Sequence, residues 1–357
     1  MSATTVLTAS ARHEASTFPK SMKLAGVLDE FESFDVTPCI GKEFSNVDLA
    51  GWLRAPNSDE LIRDLAITVA ERGVVFFRGQ TRLTNDLMKE LTQRLGLLSG
   101  KPADTGLHIH PVSNSGRKLG GSDDEISVIS SEQAKDLFKS QYDKYADKKQ
   151  SSKHGWHSDI SFEPAPADFT IMRATQLPKT GGDTLWASGY EVYDRLSAPY
   201  QKFLESLTAT YAQPAFAESA QRGGFEMFAG PRGSPLNVGT NLVYHHPVVR
   251  TNPVTGWKSV FGLGMHVQKI DGLSSAESDA MKAWLLSIVA ENHDLQVRFR
   301  YQGEGDMAIW DNRSVFHTAT FDYAGLGPRT AQRTVGVAEK PYLDPASKSR
   351  REALSEL

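Results

Sequence analysis

The chain has 357 residues, a formal net charge of −4 and one cysteine. This charge provides no basic surface for nucleic acid or an anionic membrane, and no apolar run of about 18 residues is present to cross a bilayer. The lone Cys39 excludes an intrachain disulfide framework and a cysteine-rich zinc module, which fits a reducing compartment, with the cytoplasm as the default.

The two ends of the chain differ in character from its middle. Residues 1–25 are rich in Ser, Thr and Ala and lack an apolar segment, so we expect a disordered arm and no secretory signal. Length alone suggests about two domains, although β-barrel enzymes of similar length often form one. We expect a single domain at 26–345 and a C-terminal tail at 346–357.

Three segments carry the signals of helices. Residues 57–73, NSDELIRDLAITVAERG, have a capping Asn or Ser, apolar residues at helical spacing and a final glycine. TNDLMKELTQRLG repeats this pattern and would end at Gly96, and residues 274–292 repeat it again. Between the first two, GVVFFRG is a short apolar run between glycines that predicts a buried strand.

Short strand-like runs follow one another after residue 159, most of them bounded by Gly, Pro or Asn. They are FTIMRATQ, DTLWAS, LVYHHPVV, KSVFGLG, VRFRYQ, MAIWDN, SVFHTAT and RTVGVAE. Many short strands with a few helices predict a mainly β protein, a barrel or jelly roll with helical decoration.

Two long segments do not fit that pattern. Residues 114–153 are charged and Ser-rich, and residues 213–240 are rich in Gly and Pro. Loops of this length inside a compact domain are usually functional lids or disordered. Because both flank the candidate site described next, we interpret them as lid loops.

The motif HGWHSDISF, from residue 154, offers two histidines and a carboxylate. Residues two apart in a strand point to the same face, so His157 and Asp159 can converge on one ion, whereas His154 has no such partner. An ordinary hydrogen-bonded pair is the alternative. A catalytic metal needs at least one more ligand while leaving positions open for reactants. Spacing does not choose among the downstream histidines, which are His245, His246, His266, His293 and His317.

Four blocks of the sequence resemble the taurine dioxygenase family of iron(II)- and 2-oxoglutarate-dependent oxygenases. They are HGWHSD, TGGDTLWAS, WDNRSVFHTATFDY and PRTAQR, and they occur in the family's order between about residue 30 and about residue 345. An ordered set is far more specific than any one block. The resemblance implies a double-stranded β-helix, a distorted jelly roll, which agrees with the strand pattern.

The resemblance implies a site as well as a fold. It makes His157, Asp159 and His317 the ligands of Fe(II), since two neutral imidazoles and one carboxylate leave three adjacent positions open. It places the far carboxylate of 2-oxoglutarate against Thr184 and Arg329, because an arginine fork stays charged and binds carboxylate through two hydrogen bonds. The reaction that it implies consumes O2 and 2-oxoglutarate, releases succinate and carbon dioxide, and oxidises a substrate.

A substrate pocket is implied by two further residues. Arg333 has the strand parity of Arg329 and can face the same cavity, and its family counterpart contacts an anionic head group. His110, in HIHPV, matches a sulfonate-binding histidine; a histidine that only caps a turn is the alternative. Together they predict a small anionic substrate, namely a sulfonate, alkyl sulfate or carboxylate.

Departures from the family pattern limit this prediction. Ser113 stands where taurine dioxygenase has tyrosine, Lys153 where it has asparagine, and His266 where a phenylalanine lines the cavity, so taurine itself is not the expected substrate. Ile160 retains an apolar wall. Trp156, Trp186 and Trp310 are expected to serve packing.

Several alternatives stay open at this point. The same chemistry could act on an amino acid or another carboxylate in specialised metabolism and end in hydroxylation, desaturation or ring closure. A zinc-dependent hydrolase on a jelly roll, which would use the ligands to acidify a bound water, would leave Arg329 and Thr184 without a role. A non-catalytic jelly-roll binding protein is the third class. The family's frequent dimers leave a homo-oligomer open.

Overall fold

The computed structural model describes residues 18–137 and 153–356. The strands are β1 Ser33–Asp35, β2 Lys42–Phe44, β3 Val74–Phe77, β4 Ser127–Ser130, β5 Ala167–Gln176, β6 Thr184–Ser188, β7 Thr208–Ala212, β8 Val243–Pro247, β9 Val249–Thr251, β10 Lys258–Val260, β11 Val267–Ile270, β12 Gln296–Phe299, β13 Met307–Asp311, β14 Val315–Ala319 and β15 Thr330–Val337. The helices are α1 Leu49–Trp52, α2 Ser58–Arg72, α3 Asn85–Leu98, α4 Ser131–Leu137, α5 Gly189–Asp194, α6 Ala198–Glu205, α7 Pro214–Gly223, α8 Ser275–Glu291 and α9 Arg350–Leu354, with short 3-10 turns at Lys153–Gly155 and His293–Leu295. In this part of the chain no helix combines the length and the apolar character that crossing a membrane requires.

The strands form one large sheet and three smaller ones. The large sheet has seven strands in the order β1-β2-β3-β13-β5-β15-β4, and a three-stranded sheet has the order β12-β6-β14. The others are β11-β7-β8 and β10-β9. Neighbours pair antiparallel except β2 and β3, which are parallel. The prediction of a mainly β protein with helices is therefore confirmed.

Strand β3 shows how the large sheet is buried on both faces. Val75 and Phe77 belong to a core formed with α2 and α3, whereas Val74 and Phe76 belong to a second core shared with β6 and β12. This alternation is the two-residue period of a strand, and a continuous apolar run results because neither face meets water. Full burial of each such side chain contributes about 1.5–3 kcal/mol. The second core holds β6 and β14 against the large sheet.

The predicted helices form with nearly the predicted ends. Helix α2 lies between Asn57 and Gly73 as expected, and α8 starts at a complete capping box formed by Ser274 and Glu277. The expected end of α3 at Gly96 is wrong, because the helix continues to Leu98. A side chain at Gly96 would lie within 3 Å of both Lys101 and Asp168, so the glycine allows these two side chains to pack closely against the helix.

Parts of the predicted arm and tail are folded against the domain. In residues 18–25, the backbone N–H of Met22 donates to the carbonyl of Val254 at 2.8 Å, and that of Ala25 donates to the buried Asp64 carboxylate at 2.9 Å. In the tail, α9 is adjacent to α5, and the Arg351 N–H donates to Asp194 Oδ2 at 3.1 Å. These backbone bonds show that residues 18–25 and the predicted tail contact the domain, whereas residues 1–17 of the predicted arm lie outside the described residues.

The two predicted lid loops contain regular structure, which corrects the interpretation of them as loops throughout. Strand β4 lies within 114–153 and pairs with β15, with Ser127 opposite Arg333. Helix α7 lies within 213–240 and begins at Pro214, a residue suited to the first turn of a helix. Residues 138–152 of the first segment lie outside the described residues.

Candidate metal centre and its cavity

His157, Asp159 and His317 converge on one point. One ligand atom from each lies within 4.8 Å of the other two, and the described residues contain this group of potential metal ligands. His157 and His317 form an isolated antiparallel bridge, in which the N–H of each donates to the carbonyl of the other at 3.0 and 2.8 Å. The bridge explains why residues 160 positions apart in sequence hold their rings 4.2 Å apart between centroids.

His157 and Asp159 converge as expected, but the backbone between them does not have the expected strand geometry. Asp159 lies in a turn and not in a strand, so the argument from side-chain alternation is wrong for this pair. The following residue, Ile160, has a φ of 44°, which is rare for a β-branched residue and costs about 1–3 kcal/mol. This turn, and not a pleat, brings the carboxylate back to the histidines.

The donor set fits a divalent cation with open positions. His157 Nδ1–H donates to the carbonyl of Gly155 at 2.8 Å, which leaves Nε2 with a lone pair for a metal. His317 Nε2 lies 3.9 Å from Asp159 Oδ1, and its buried Nδ1 has no hydrogen-bond partner within the described chain. Burial lowers the pKa of His157 and lowers that of His317 to about 3, so both imidazoles are neutral, as ligation requires.

The other histidines lie outside this group. His154 is exposed in a 3-10 turn. His246 is buried with Nε2 2.9 Å from the carbonyl of Glu163, and the exposed His245 pairs with Asp271 at 3.0 Å. Spacing did not choose a third candidate ligand among the downstream histidines, and the structure brings His317 to His157 and Asp159.

Asp159 is held by three side chains as well as by its place in the turn. Its Oδ2 accepts from Thr170 Oγ1 at 3.0 Å, and its Oδ1 accepts from Arg333 Nη1 at 2.7 Å. Its backbone N–H donates to Asn312 Oδ1 at 3.0 Å. Burial opposes the ionised form, but the charge of Arg333 and the nearby imidazoles hold the pKa of Asp159 well below its usual range.

A cavity of about 230 Å³ opens beside His157 and Asp159. Ligand pockets for drug-sized molecules are about 300–1,000 Å³, so this one suits a smaller molecule. It brings together the predicted substrate residues with several apolar ones that sequence reasoning did not single out. Its lining is His110, Ser113, Ile129, His157, Asp159, Ile160, Phe162, Gln213, Ala215, Phe216, Met265, His266 and Arg333.

His110 both caps a turn and faces this cavity. Its Nδ1 accepts from the backbone N–H groups of Val112 at 3.0 Å and Ser113 at 2.8 Å. Burial, followed by the charge of Arg333, lowers the pKa of His110 well below its usual value. The ring is therefore neutral with its proton on Nε2, which makes Nε2–H a fixed hydrogen-bond donor.

Thr184 and Arg329 lie close together but outside the lining of that cavity. Arg329 is buried, its Nε donates to the carbonyl of Gly182 at 2.7 Å, and its guanidinium lies 5.5 Å from the ring of Tyr301. Thr184 Oγ1 is 3.4 Å from the hydroxyl of the same tyrosine. No described carboxylate forms an ion pair with Arg329, which is unusual for a buried arginine. Tyr301 joins the two residues and was missed from the sequence.

Gly182 makes room for this arginine. A Cβ at this position would lie 2.8 Å from Arg329 Cδ, and the φ of 73° also favours glycine. The second glycine of the TGGDT block thus makes room for Arg329 because it has no side chain, a role that neither helix and strand propensity nor charge indicates.

A buried ion pair joins the 213–240 segment to Glu163, which follows the turn of Asp159. Arg232 donates to Glu163 at 2.5 and 2.9 Å, and both side chains are at most 2% exposed. The backbone N–H of Phe228, in the same segment, donates to the carbonyl of Pro111 beside His110. These contacts anchor the part of the segment around Phe228 and Arg232, which we call the strap.

We expect Arg232→Ala to lower the free energy of unfolding by about 3–5 kcal/mol, because Glu163 would stay buried without its partner. Urea unfolding followed by circular dichroism measures this loss. Arg82→Ala, which breaks an exposed pair with Asp48, is the control and should cost less than about 1 kcal/mol. Equal losses in the two variants would contradict the assignment of an anchoring role.

Known proteins are similar to this chain in sequence and in structure. The model of the taurine catabolism dioxygenase TauD, TfdA family matches residues 32–335. The chain is 53% identical to the alpha-ketoglutarate-dependent dioxygenase btcD of Neocamarosporium betae, over 93% of this chain and 98% of that protein. It is 32% identical to an alpha-ketoglutarate-dependent sulfonate dioxygenase of Saccharomyces cerevisiae, over 87% and 67%. A crystal structure of a taurine dioxygenase from Burkholderia xenovorans superposes with a TM-score of 0.63 at 25% identity, over 89% and 92%.

Proposed function

Because the chain belongs to the taurine catabolism dioxygenase TauD, TfdA family, we propose that it oxidises a small organic anion held between His110 and Arg333. The chain is an alpha-ketoglutarate-dependent dioxygenase that uses Fe(II), 2-oxoglutarate and O2, as its close relatives are named for that dependence. Family membership sets aside the zinc-dependent hydrolase and the non-catalytic binding protein.

In this proposal His157, Asp159 and His317 hold the iron. When bound, the iron would activate O2, and the oxidation of 2-oxoglutarate would supply two of the electrons that this activation requires. The protein's own contribution is to keep both imidazoles neutral, to keep Asp159 ionised and to leave the cavity side of the group free of further ligands. The fold supports this arrangement, since β14 is the edge strand of the sheet β12-β6-β14 and carries His317, to which His157 forms an antiparallel bridge.

Thr184 and Arg329 bind the far carboxylate of 2-oxoglutarate in this proposal. A buried guanidinium without an anionic partner is unfavourable, and a carboxylate that arrives with the cosubstrate would provide that partner. Tyr301, whose pKa burial raises to about 12, stays protonated and can donate a hydrogen bond to the same carboxylate or to Thr184.

The observation that carries the substrate proposal is the set of donors in the cavity. The side chain of Arg333 uses Nη1 for Asp159 and has no other hydrogen bond among the described residues, while the neutral ring of His110 has its proton on Nε2. Asp159 is the one acidic residue in the described lining, and it is already paired. A negatively charged head group would meet hydrogen-bond donors, and the one negative charge near it, that of Asp159, is already paired with Arg333.

Helix α7 contributes a cover to this cavity. Ala215 and Phe216 line it, and the ring of Phe216 lies 4.8 Å from that of His110. We infer that α7 is the lid that the sequence pattern suggested, with the strap around Arg232 as its fixed end.

An amino acid or another carboxylate with a second polar group is the alternative substrate, and one wall of the cavity favours it. His266 replaces an apolar residue of the family and lies 5.6 Å from the His157 ring, with its Nδ1 3.4 Å from Gln213 Nε2. Ser113 adds a hydroxyl on the His110 side. These groups could bind the far end of a bifunctional anion.

Substrate-stimulated succinate release across sulfonates, alkyl sulfates, aryloxy acids and amino acids tests the proposal. We expect the best substrate to be an anion, and Arg333→Ala to weaken its apparent affinity about tenfold to a hundredfold, because a charge-assisted hydrogen bond contributes about 1.5–3 kcal/mol. The variant should still consume 2-oxoglutarate slowly without substrate. The proposal fails if a neutral compound is the best substrate and Arg333→Ala still accepts it.

A further inference from the structure

The two carboxylate oxygens of Asp159 have different surroundings. Oδ1 lies 3.9 Å from His317 Nε2 and 2.7 Å from Arg333 Nη1. Oδ2 lies 3.0 Å from the hydroxyl of Thr170, a fully buried residue of β5. Oδ1 is therefore the oxygen that approaches His317, whereas Oδ2 is engaged by Thr170.

Asn312 fixes which way the Thr170 hydroxyl points. Asn312 Oδ1 accepts from the backbone N–H of Asp159 at 3.0 Å and from the indole N–H of Trp310 at 3.1 Å, and both groups can only donate. This sets the orientation of the amide, so its Nδ2 donates to Thr170 Oγ1 at 2.8 Å and to the carbonyl of Asp168 at 3.0 Å.

The direction of the remaining bond follows from these contacts. The lone pair of Thr170 Oγ1 accepts from Asn312, and the hydroxyl proton is directed to the other neighbour, Asp159 Oδ2. A carboxylate accepts and does not donate, so the chain Asn312 to Thr170 to Asp159 has one consistent direction. Every member is buried, which makes each bond costly to lose.

We infer that Thr170, oriented by Asn312, is a positioning residue that occupies Oδ2 of Asp159 and leaves Oδ1 to serve as the metal ligand. This inference rests on the ligand set proposed above. With Oδ2 engaged by Thr170, Asp159 would bind the metal through Oδ1, which also accepts from Arg333. The carboxylate would then take one position on the metal, and more positions would be left for cosubstrate and oxygen. Partners of this kind commonly change metal affinity about 10- to 100-fold when removed.

Binding of Mn(II) alone to the full-length protein, followed through the electron paramagnetic resonance signal of the free ion, tests the inference without any turnover. Thr170→Val keeps the shape of the side chain and removes the hydroxyl, and we expect its dissociation constant for Mn(II) to rise about 10- to 100-fold. Thr170→Ser restores the hydroxyl and should stay within about threefold of the wild-type protein, a shift below about 1 kcal/mol.

The matched control is Thr334→Val. Thr334 is another fully buried threonine of the same sheet, and its hydroxyl bonds to Thr92 Oγ1 at 2.6 Å and not to a proposed ligand. Its Mn(II) affinity should equal that of the wild-type protein. If Thr334→Val loses as much affinity as Thr170→Val, the effect is one of general packing and the inference is overturned.

Asp159→Asn separates failure of the inference from failure of the proposed function. Unchanged Mn(II) binding by Asp159→Asn would reject the ligand set itself. Loss of binding by Asp159→Asn, together with wild-type binding by Thr170→Val, would reject only the role of Thr170. Thermal unfolding checks that each variant is folded, and Thr170→Ala, with the same expected loss of affinity, takes the place of Thr170→Val if the latter is not.

Discussion

His317→Ala is expected to abolish substrate-dependent oxygen consumption. The ring supplies one of the three proposed ligand atoms, and alanine would leave only His157 and Asp159, which is too few to hold a catalytic metal. Oxygen uptake in the presence of Fe(II), 2-oxoglutarate and the best substrate from the screen measures the loss. Replacing His157 or Asp159 should have the same result.

Two histidines outside the ligand group provide the controls. His154→Ala removes an exposed ring from the same motif, and most of the activity should remain. His246 is buried against the carbonyl of Glu163 and tests whether loss of any buried histidine is sufficient. Full activity in His317→Ala with loss in His246→Ala would show that the ligand assignment is wrong.

Arg329→Ala should weaken the apparent affinity for 2-oxoglutarate at least a hundredfold. The variant would leave the far carboxylate of the cosubstrate buried without its partner, and breaking a buried charge pair costs about 3–5 kcal/mol. Succinate release as a function of 2-oxoglutarate concentration measures the change in apparent affinity.

Arg333→Ala is the paired control, because it removes an arginine from the same strand region without touching the pocket of Thr184 and Tyr301. Its affinity for 2-oxoglutarate should change much less than that of Arg329→Ala. An unchanged affinity in Arg329→Ala, with the loss in Arg333→Ala instead, would mean that the two arginines have the opposite roles.

The regular elements were predictable wherever local chemistry decides them. Helix α2 and the buried strand β3 follow from spacing and flanking glycines, which act within a few residues. Strand β4 was not predictable, since its four residues lie in a charged, Ser-rich segment and are fixed by pairing with β15. Tertiary pairing overrides a weak local preference in such cases.

In the candidate site, too, some features were predictable from the sequence and others depend on tertiary contacts. The resemblance named His157, Asp159 and His317, and the structure brings them together, but their supports are contacts between distant parts of the chain. Thr170 and Asn312 are 11 and 153 residues from Asp159. A hydroxyl or amide on a buried strand carries no signal of its role until its partner is known.

The pairing of Arg333 with Asp159 sets the net charge of the loaded site. These two charges cancel, the imidazoles are neutral, and a divalent metal would cancel the two negative charges of 2-oxoglutarate. When Arg329 is included in the sum, the loaded site of the proposal would carry one net positive charge in a buried region, which is unfavourable in a medium of low dielectric constant. A substrate with a single negative charge would restore electroneutrality, whereas a neutral or cationic compound would not. The site would thus discriminate by overall charge, independently of how the head group is hydrogen-bonded.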